Sequence, residues 1–131
     1  MDKIILITIV SHKPSRMFLK LSHQKLDVYK TSQLLALECY KVTNQFPKEE
    51  KFSMIQQLRR AALSTHLNLA EGCSRKSMAE RKRFFEISRG SVIEIDACLD
   101  LAVKLKYVTF DELRNFGEAI VRTFQMLSRM M

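Results

Sequence analysis

The sequence predicts an all-α protein, a single antiparallel four-helix bundle of up-down-up-down topology. The chain of 131 residues has only 3 Gly and 2 Pro, too few for the turns of a sandwich, a barrel or a glycine-rich phosphate loop. Its apolar residues, 47% of the total, recur every three or four positions from Leu26 onward, which is the period of an amphipathic helix. This length suits one domain, which can bury a core without a metal or a disulfide.

The first two predicted helices each show one apolar stripe with alternating steps of four and three residues. The first helix spans about residues 27–45 and ends before Pro47, because the residue preceding a proline disfavours the helical conformation. The second spans about residues 51–71, and Gly72 suits the left-handed residue that follows a helix. The predicted buried positions are Val28, Ser32, Leu35, Cys39, Val42 and Phe46 in the first helix and Ile55, Leu58, Ala62, Thr65 and Leu69 in the second.

The third and fourth predicted helices each begin at a capping box, in which a hydroxyl residue is followed three positions later by a glutamate. Ser77–Glu80 opens the third helix, about residues 78–106, and Thr109–Glu112 opens the fourth, which continues to near the C-terminus. The predicted buried positions are Phe84, Ser88, Ser91, Ile95, Cys98, Ala102 and Leu105, followed by Leu113, Phe116, Ile120, Thr123, Leu127 and Met130. Short connections between long helices predict antiparallel neighbours.

Further apolar residues lie beside these stripes, at Leu34, Leu37, Phe85, Val92, Leu99, Gly117, Phe124 and Met131. A wide apolar face is typical of a bundle core, whose helices use about three positions in seven. It also fits a second surface for self-association, and both interpretations stay open. The small residues Ser88, Gly90 and Ser91 predict a close approach by another helix.

Residues 1–22 are predicted to form an N-terminal extension, poorly ordered or strand-like, outside the core of the domain at residues 23–131. Its apolar run, Ile4–Val10, has seven residues, whereas a membrane-spanning helix needs about 20, so we expect no membrane partner. Three roles stay open for the extension: none in the core, a strand that pairs with another chain, or a targeting segment.

The net charge of +8 is concentrated in two segments. Residues 1–26 contain five basic side chains and one acidic one, and residues 59–89 contain eight and three. A polyanion-binding surface requires such a local excess, although a solvated helix face can have the same composition. The residues predicted to contact nucleic acid are Arg59, Arg60, Arg75, Lys76, Arg81, Lys82 and Arg83.

The side chains show no spacing typical of a catalytic, metal or cofactor site. Three cysteines without a CxxC pair favour neither a disulfide framework nor a zinc ribbon, and they suit a reducing cytoplasm. No histidine follows a glutamate by three residues, which excludes the di-iron type of helix bundle. We therefore expect a cytoplasmic protein that is not an enzyme and has no metal or cofactor.

The most unusual segment is 59–72, where a polar line follows the apolar one. Arg60, Ser64 and Asn68 repeat every four residues, and Glu71 lies three residues after Asn68. One interpretation is structural: Asn68 and Glu71 satisfy helix-end amides or bond to a neighbouring helix. The other is functional: the arginines bind phosphates or the acidic groups of a partner.

This segment carries the string R-R-A-A-x-S-x-x-x-N-x-A-E-G, and weaker motifs flank it. These are L-D-V-Y-K (26–30), F-P-K-E-E (46–50), F-x-x-x-S-x-G-S-x-x-E (84–94) and L-K-Y-V (105–108). Over about residues 22–131 the chain is similar to the 23S rRNA-intervening-sequence proteins. It also resembles their relatives, the accessory variability proteins of diversity-generating retroelements. Thr65, His66 and Tyr29 depart from the family pattern, and residues 1–21 have no counterpart.

The resemblance implies a four-helix bundle that assembles as a ring-like homopentamer and has no enzymatic activity. Arg59 and Arg60 match the signature arginines, and Asn68, Glu71 and Gly72 match its polar end. The retroelement relative binds nucleic acid and a reverse transcriptase through a basic surface. We therefore expect an oligomer that binds RNA or DNA. The alternative is a scaffold or adaptor for a reverse transcriptase or another acidic protein.

Overall fold

Four α-helices make up most of residues 18–131, the part of the chain that the computed structural model describes. They are α1 (Asp27–Thr43), α2 (Met54–Ser74), α3 (Met78–Lys104) and α4 (Arg114–Arg129). Short 3-10 turns precede α1, α2 and α4, at Ser22–Lys25, Lys48–Glu50 and Asp111–Leu113. No strand occurs within residues 18–131, and the predicted all-α bundle is confirmed. The predictions for Ile4–Val10 lie outside the described residues.

Each helix packs against two others, and together they enclose one core. α1 lies between α2 and α4, and α3 contacts the same two helices from the opposite side. Two hydrogen bonds show that α1 and α2 are antiparallel. Ser32, near the start of α1, bonds to His66 in the second half of α2, whereas Thr43, at the end of α1, bonds to Arg59 near the start of α2.

The apolar stripes predicted for α1, α2 and α4 form this core. Every predicted position of α1 and α2 is buried, and in α4 only Met130 remains partly exposed. Burying a leucine or phenylalanine side chain of this kind contributes about 1.5 to 3 kcal/mol, so the three stripes account for much of the stability of the bundle. Leu34 and Leu37, by contrast, are exposed on α1.

The buried stripe of α3 differs in part from the predicted one, because Phe85 and Leu99 are buried in place of their neighbours Phe84 and Cys98. Its buried residues are Phe85, Ser88, Ser91, Val92, Ile95, Leu99 and Ala102. Of the predicted positions, Phe84 and Cys98 are only partly buried and Leu105 is exposed. Both lines follow the same alternation of four and three residues and share several members, so the rotation of α3 between its neighbours decides which line is buried.

Gly72 lies inside α2, two residues before the helix ends, so the predicted left-handed cap is wrong. Its role is to allow close packing. A Cβ atom at Gly72 would lie 2.7 Å from Phe85 Cε1 on α3, closer than real Cβ atoms approach other atoms, and a tight 3.0 Å from Phe84 Cβ. Within the described residues, the left-handed conformation occurs at Lys106 (φ 64°), just after α3.

Serine side chains complete the contact between α2 and α3. Ser88 Oγ donates a hydrogen bond to the carbonyl oxygen of Thr65 (2.6 Å), and Ser91 Oγ donates one to Ser64 Oγ (2.8 Å). Gly90 does not belong to this contact, because a Cβ built there would meet no atom within 4 Å. The predicted close approach therefore involves Ser88 and Ser91 and not Gly90.

Of the two predicted capping boxes, Thr109–Glu112 has both of its bonds, whereas Ser77–Glu80 has the bond to the serine hydroxyl alone. Ser77 Oγ accepts a hydrogen bond from the backbone N–H of Glu80 (3.1 Å) at the start of α3. Before α4, Thr109 Oγ1 accepts from the N–H of Glu112 (3.2 Å), and the Glu112 carboxylate accepts from the N–H of Thr109 (2.9 Å). Because these bonds join residues three apart, the local sequence is enough to set them.

Two of the three helical glycines, Gly72 and Gly90, allow a matched test of the packing at Gly72. Gly72→Ala should lower the free energy of unfolding by about 1 to 2 kcal/mol, because the new methyl group overpacks the buried Phe85 ring. Gly90→Ala should raise it by about 1 kcal/mol, because alanine favours a helix and the site is open. Urea unfolding followed by circular dichroism measures both. Equal effects of the two substitutions would contradict the packing role of Gly72.

Candidate nucleic-acid interface

Within the described residues, the excess of basic over acidic side chains lies at one end of the bundle, where α2 ends and α3 begins. We call this the α2–α3 end and assign to it residues 18–34, 65–90 and 123–131, which carry ten basic and four acidic side chains. The other half, residues 35–64 and 91–122, carries nine of each sign. The fold therefore converts two charged stretches of sequence into one positive end and one balanced end.

Three of the predicted cations at this end have no partner among the described residues. Lys76 lies in the short connection between α2 and α3, and Lys82 and Arg83 lie in the first two turns of α3. All three side chains are exposed, and none forms an ion pair or a side-chain hydrogen bond with the described residues. No side chain of residues 18–131 therefore competes with a phosphate group for these charges.

Two other predicted arginines at this end are engaged with the protein. Arg75 pairs with Glu71 one turn earlier, and its guanidinium lies 5.0 Å from the centre of the Phe84 ring. Arg81 Nη1 donates hydrogen bonds to the carbonyl oxygens of Cys73 (2.8 Å) and Arg75 (3.2 Å). Arg81 thus neutralises the negative C-terminal end of α2 and fixes the turn between the helices.

Arg59 and Arg60 lie apart from this cluster. The α2 helix carries them about 22 Å from the end where the other cations lie. Arg59 is half-buried: its Nε donates to Thr43 Oγ1 (2.9 Å), its Nη2 donates to Asn44 Oδ1 (3.1 Å), and its guanidinium stacks on Tyr40 at 4.6 Å. Arg60 is exposed. The structure therefore does not bring all seven predicted cations together, and it gives Arg59 a role in joining α1 to α2.

Within the described residues, Asn68 and Glu71 bond to their own helix and to the residue after it, and not to a helix-end amide or a neighbouring helix as the structural interpretation expected. Asn68 Nδ2 donates to the carbonyl oxygen (2.9 Å) and the Oγ (3.0 Å) of Ser64, which also accepts from Ser91 of α3. Glu71 holds Arg75. Within the described residues, Ser64 is the member of the polar line that bonds to α3, through Ser91, and Gly72 lets the two helices approach.

Further cations join this end without having been assigned to the site from the sequence. The turn Ser22–Lys25 packs against α1 and α2 and brings Lys20 and Lys25 to the half where α2 ends. Arg89 Nε donates to Ser128 Oγ (2.8 Å), which ties the end of α4 to α3. The excess of charge in residues 1–26 is visible in the sequence, but the position of Lys20 and Lys25 beside α2 depends on how the turn Ser22–Lys25 docks.

A serine and a histidine meet between α1 and α2. Ser32 Oγ and His66 Nδ1 are 2.7 Å apart, and Tyr29 stacks on His66 with a ring separation of 4.6 Å. Burial, with a smaller contribution from the charge of His23, lowers the pKa of His66. Because Ser32 is completely buried, a substrate cannot reach its hydroxyl group, and the pair serves to join the two helices.

Residues 18–131 contain neither a cluster suited to a metal ion nor a membrane-spanning helix. In this range no three His, Cys, Asp or Glu side chains lie close enough together to hold a metal ion. No helix in the range combines the length and the apolar character needed to cross a membrane.

Comparison with known proteins links the chain to one family. The family model described as 23S rRNA-intervening sequence protein matches residues 24–129. The fold is similar to the crystal structure of a protein of unknown function from the S23 ribosomal protein family of Bacteroides thetaiotaomicron. The TM-score is 0.70 and the sequence identity 20%, and the match covers 79% of this chain and 96% of that one. No curated protein matches the chain.

The different settings of Arg59 and Arg60 predict different effects on stability. Arg59→Ala should lower the free energy of unfolding by about 1 to 2 kcal/mol, because it removes hydrogen bonds from a charged donor to α1. Arg60→Ala, one residue away on the exposed face, should change it by less than about 0.5 kcal/mol. Urea titration of both variants measures the difference. A larger loss for Arg60→Ala would show that the bonds of Arg59 carry little energy.

Proposed function

Because this chain belongs to the 23S rRNA-intervening sequence protein family, we propose that it is a non-enzymatic, oligomeric protein that binds RNA through its α2–α3 end. The single observation that carries the proposal is the charge of that end, ten basic against four acidic side chains. The family's name connects it with sequences that interrupt an rRNA, and RNA is therefore the polyanion that we favour over DNA.

The exposed cations supply the physical basis of binding. Lys76, Lys82 and Arg83 can each approach a phosphate without first breaking an ion pair within the described residues. Contact with phosphates releases condensed counterions, so the affinity should fall steeply as the salt concentration rises. Such contacts position a nucleic acid and do not distinguish its bases. The proposed site is accordingly a general RNA-binding surface.

Assembly would strengthen this surface. We propose that the protein forms a homopentamer in the cytoplasm, as its resemblance to the family and to the accessory variability proteins implies. Five positive ends in one particle could contact one RNA molecule together, and the second contact would form at a high effective concentration. A weak site on each copy would then give a tight complex.

The second candidate function is that of an adaptor for an acidic protein such as a reverse transcriptase. The observation that favours it is the almost complete exposure of Phe18 and Met78, two large apolar side chains at the same end as the cations. A protein partner could cover both apolar and charged groups. Affinity purification from the native host after nuclease treatment separates the two functions, since an adaptor keeps its partner and an RNA-binding protein loses its ligand.

Removing two free cations should weaken RNA binding in a salt-dependent way. The slope of log K against log salt concentration is negative. In the double variant Lys82→Gln with Arg83→Gln its magnitude should fall by about 1 to 2, because up to two phosphate contacts are lost. Fluorescence anisotropy with a labelled single-stranded RNA, measured from low to moderate salt, gives this slope.

The matched control is Lys48→Gln with Lys51→Gln, which removes the same charge from exposed positions at the opposite end. It should leave the slope nearly unchanged. An equal decrease in both double variants would mean that only net charge matters, and a wild-type protein that binds no RNA at low salt would end the proposal.

A further inference from the structure

A pocket of about 620 Å³ lies at the α2–α3 end, between the turn Ser22–Lys25 and the outer side of α2. Its apolar walls are formed by Leu21, Leu67 and Ala70. The half-buried His23 ring forms an aromatic wall and packs against Tyr29, with 5.5 Å between the two ring centroids. We call this cavity the turn pocket. Its size and its largely apolar lining are typical of a site that binds a small organic group.

The polar side chains that α2 contributes to the pocket wall are hydrogen-bond acceptors. Both amide protons of Asn68 are used, since its Nδ2 donates to the carbonyl oxygen (2.9 Å) and the Oγ (3.0 Å) of Ser64. The reverse orientation would set two carbonyl oxygens against each other, so Oδ1 is the atom left for a ligand. Ser74 Oγ donates its proton to the carbonyl oxygen of Glu71 (2.7 Å), and the Glu71 carboxylate only accepts. A ligand that fits this wall must therefore bring donors.

The charge around the turn pocket is positive. Glu71 is the acidic side chain of the wall, and Arg75, one turn later, balances its charge. The other charged residues within four positions of the wall in the sequence are Lys20, Lys25, Lys76 and Asp27, all of them exposed. Three lysines thus outnumber one aspartate, and these surroundings favour a ligand that belongs to a polyanion.

A nucleobase of an RNA strand has the chemistry that this pocket requires. Its flat faces pack on apolar and aromatic side chains such as His23, while basic side chains contact the adjoining phosphates. The exocyclic amino group of cytosine, adenine or guanine carries two protons, so it can donate to Asn68 and Glu71 together. Uracil has no amino group, and its carbonyl oxygens would face acceptors with no proton between them.

We infer that the turn pocket binds one unpaired, amino-bearing base of a single-stranded RNA. The inference deepens the proposed function and rests on it: the phosphate contacts supply general affinity, and the pocket adds a preference for single strands and for certain bases. In a duplex the bases are stacked and their amino groups are paired, so none can enter the pocket before it has been unpaired.

Two labelled oligonucleotides of equal length and equal charge test the base preference. At neutral pH and one low salt concentration, the wild-type protein should bind oligocytidine about tenfold more tightly than oligouridine, because cytosine has the amino group that uracil lacks. Fluorescence anisotropy measures both affinities. Both strands are pyrimidines with the same backbone, so their phosphate contacts are the same and the ratio of the two affinities reports on the base alone.

Two variants change the pocket itself. Ala70→Leu fills it and should lower the affinity for oligocytidine about tenfold, to that for oligouridine, while the affinity for an RNA duplex stays unchanged. Glu71→Gln, at an exposed position, replaces an acceptor by an amide that also donates, so the ratio of the two affinities should fall towards one. Ala79→Leu, at an exposed position on α3 outside the pocket, is the matched control and should keep the wild-type ratio. Thermal unfolding followed by circular dichroism verifies the fold of each variant.

The outcomes separate this inference from the proposed function. Equal affinities of the wild type for oligocytidine and oligouridine would overturn the pocket and leave salt-dependent RNA binding intact. The pocket is also overturned if folded Glu71→Gln keeps the wild-type ratio, or if Ala70→Leu weakens duplex binding as much as single-strand binding. A wild-type protein that binds neither oligonucleotide nor the duplex at low salt would end the proposed function and this inference with it.

Discussion

The close approach of α2 and α3 is the constraint on which the rest of the structure depends. Gly72 leaves no side chain between the helices, and the Phe85 ring occupies the space that a Cβ would need. Ser88 and Ser91 then reach the backbone and side chains of α2 directly. Because only three residues connect the two helices, this packing also forces every cation near the turn into one small region. The positive end of the bundle is thus a consequence of how the core is closed.

The basic residues divide into two physical classes that composition does not distinguish. Arg59 and Arg81 use their guanidinium groups to bond carbonyl and hydroxyl oxygens at the ends of neighbouring helices, a task suited to a planar group with several donors. Lys76, Lys82 and Arg83 have no such partner among the described residues and keep their charge in water. A count of basic residues therefore overstates the number available to a phosphate.

The apolar residues divide in a similar way. A bundle of this size can bury one face of each helix, and the stripes of α1, α2 and α4 fill that core. Leu37, Leu67 and Phe110 have the same hydrophobic character but remain in water, on surfaces that face away from the core. An isolated exposed leucine is ordinary, whereas several exposed apolar side chains close together form a patch of the kind that is typical of interaction sites.

The sequence by itself determined the helices, their capping boxes and most of the core, because these features depend on hydrogen bonds between residues three or four apart and on the helical period. Ser77 and Thr109 illustrate this, since each cap lies within four residues of sequence. Only the tertiary structure decided which line of α3 is buried, why Gly72 is a glycine and what Arg59 binds. Each of these depends on a residue of another helix, and the rotation and level at which two helices meet are set by the packing of the whole bundle.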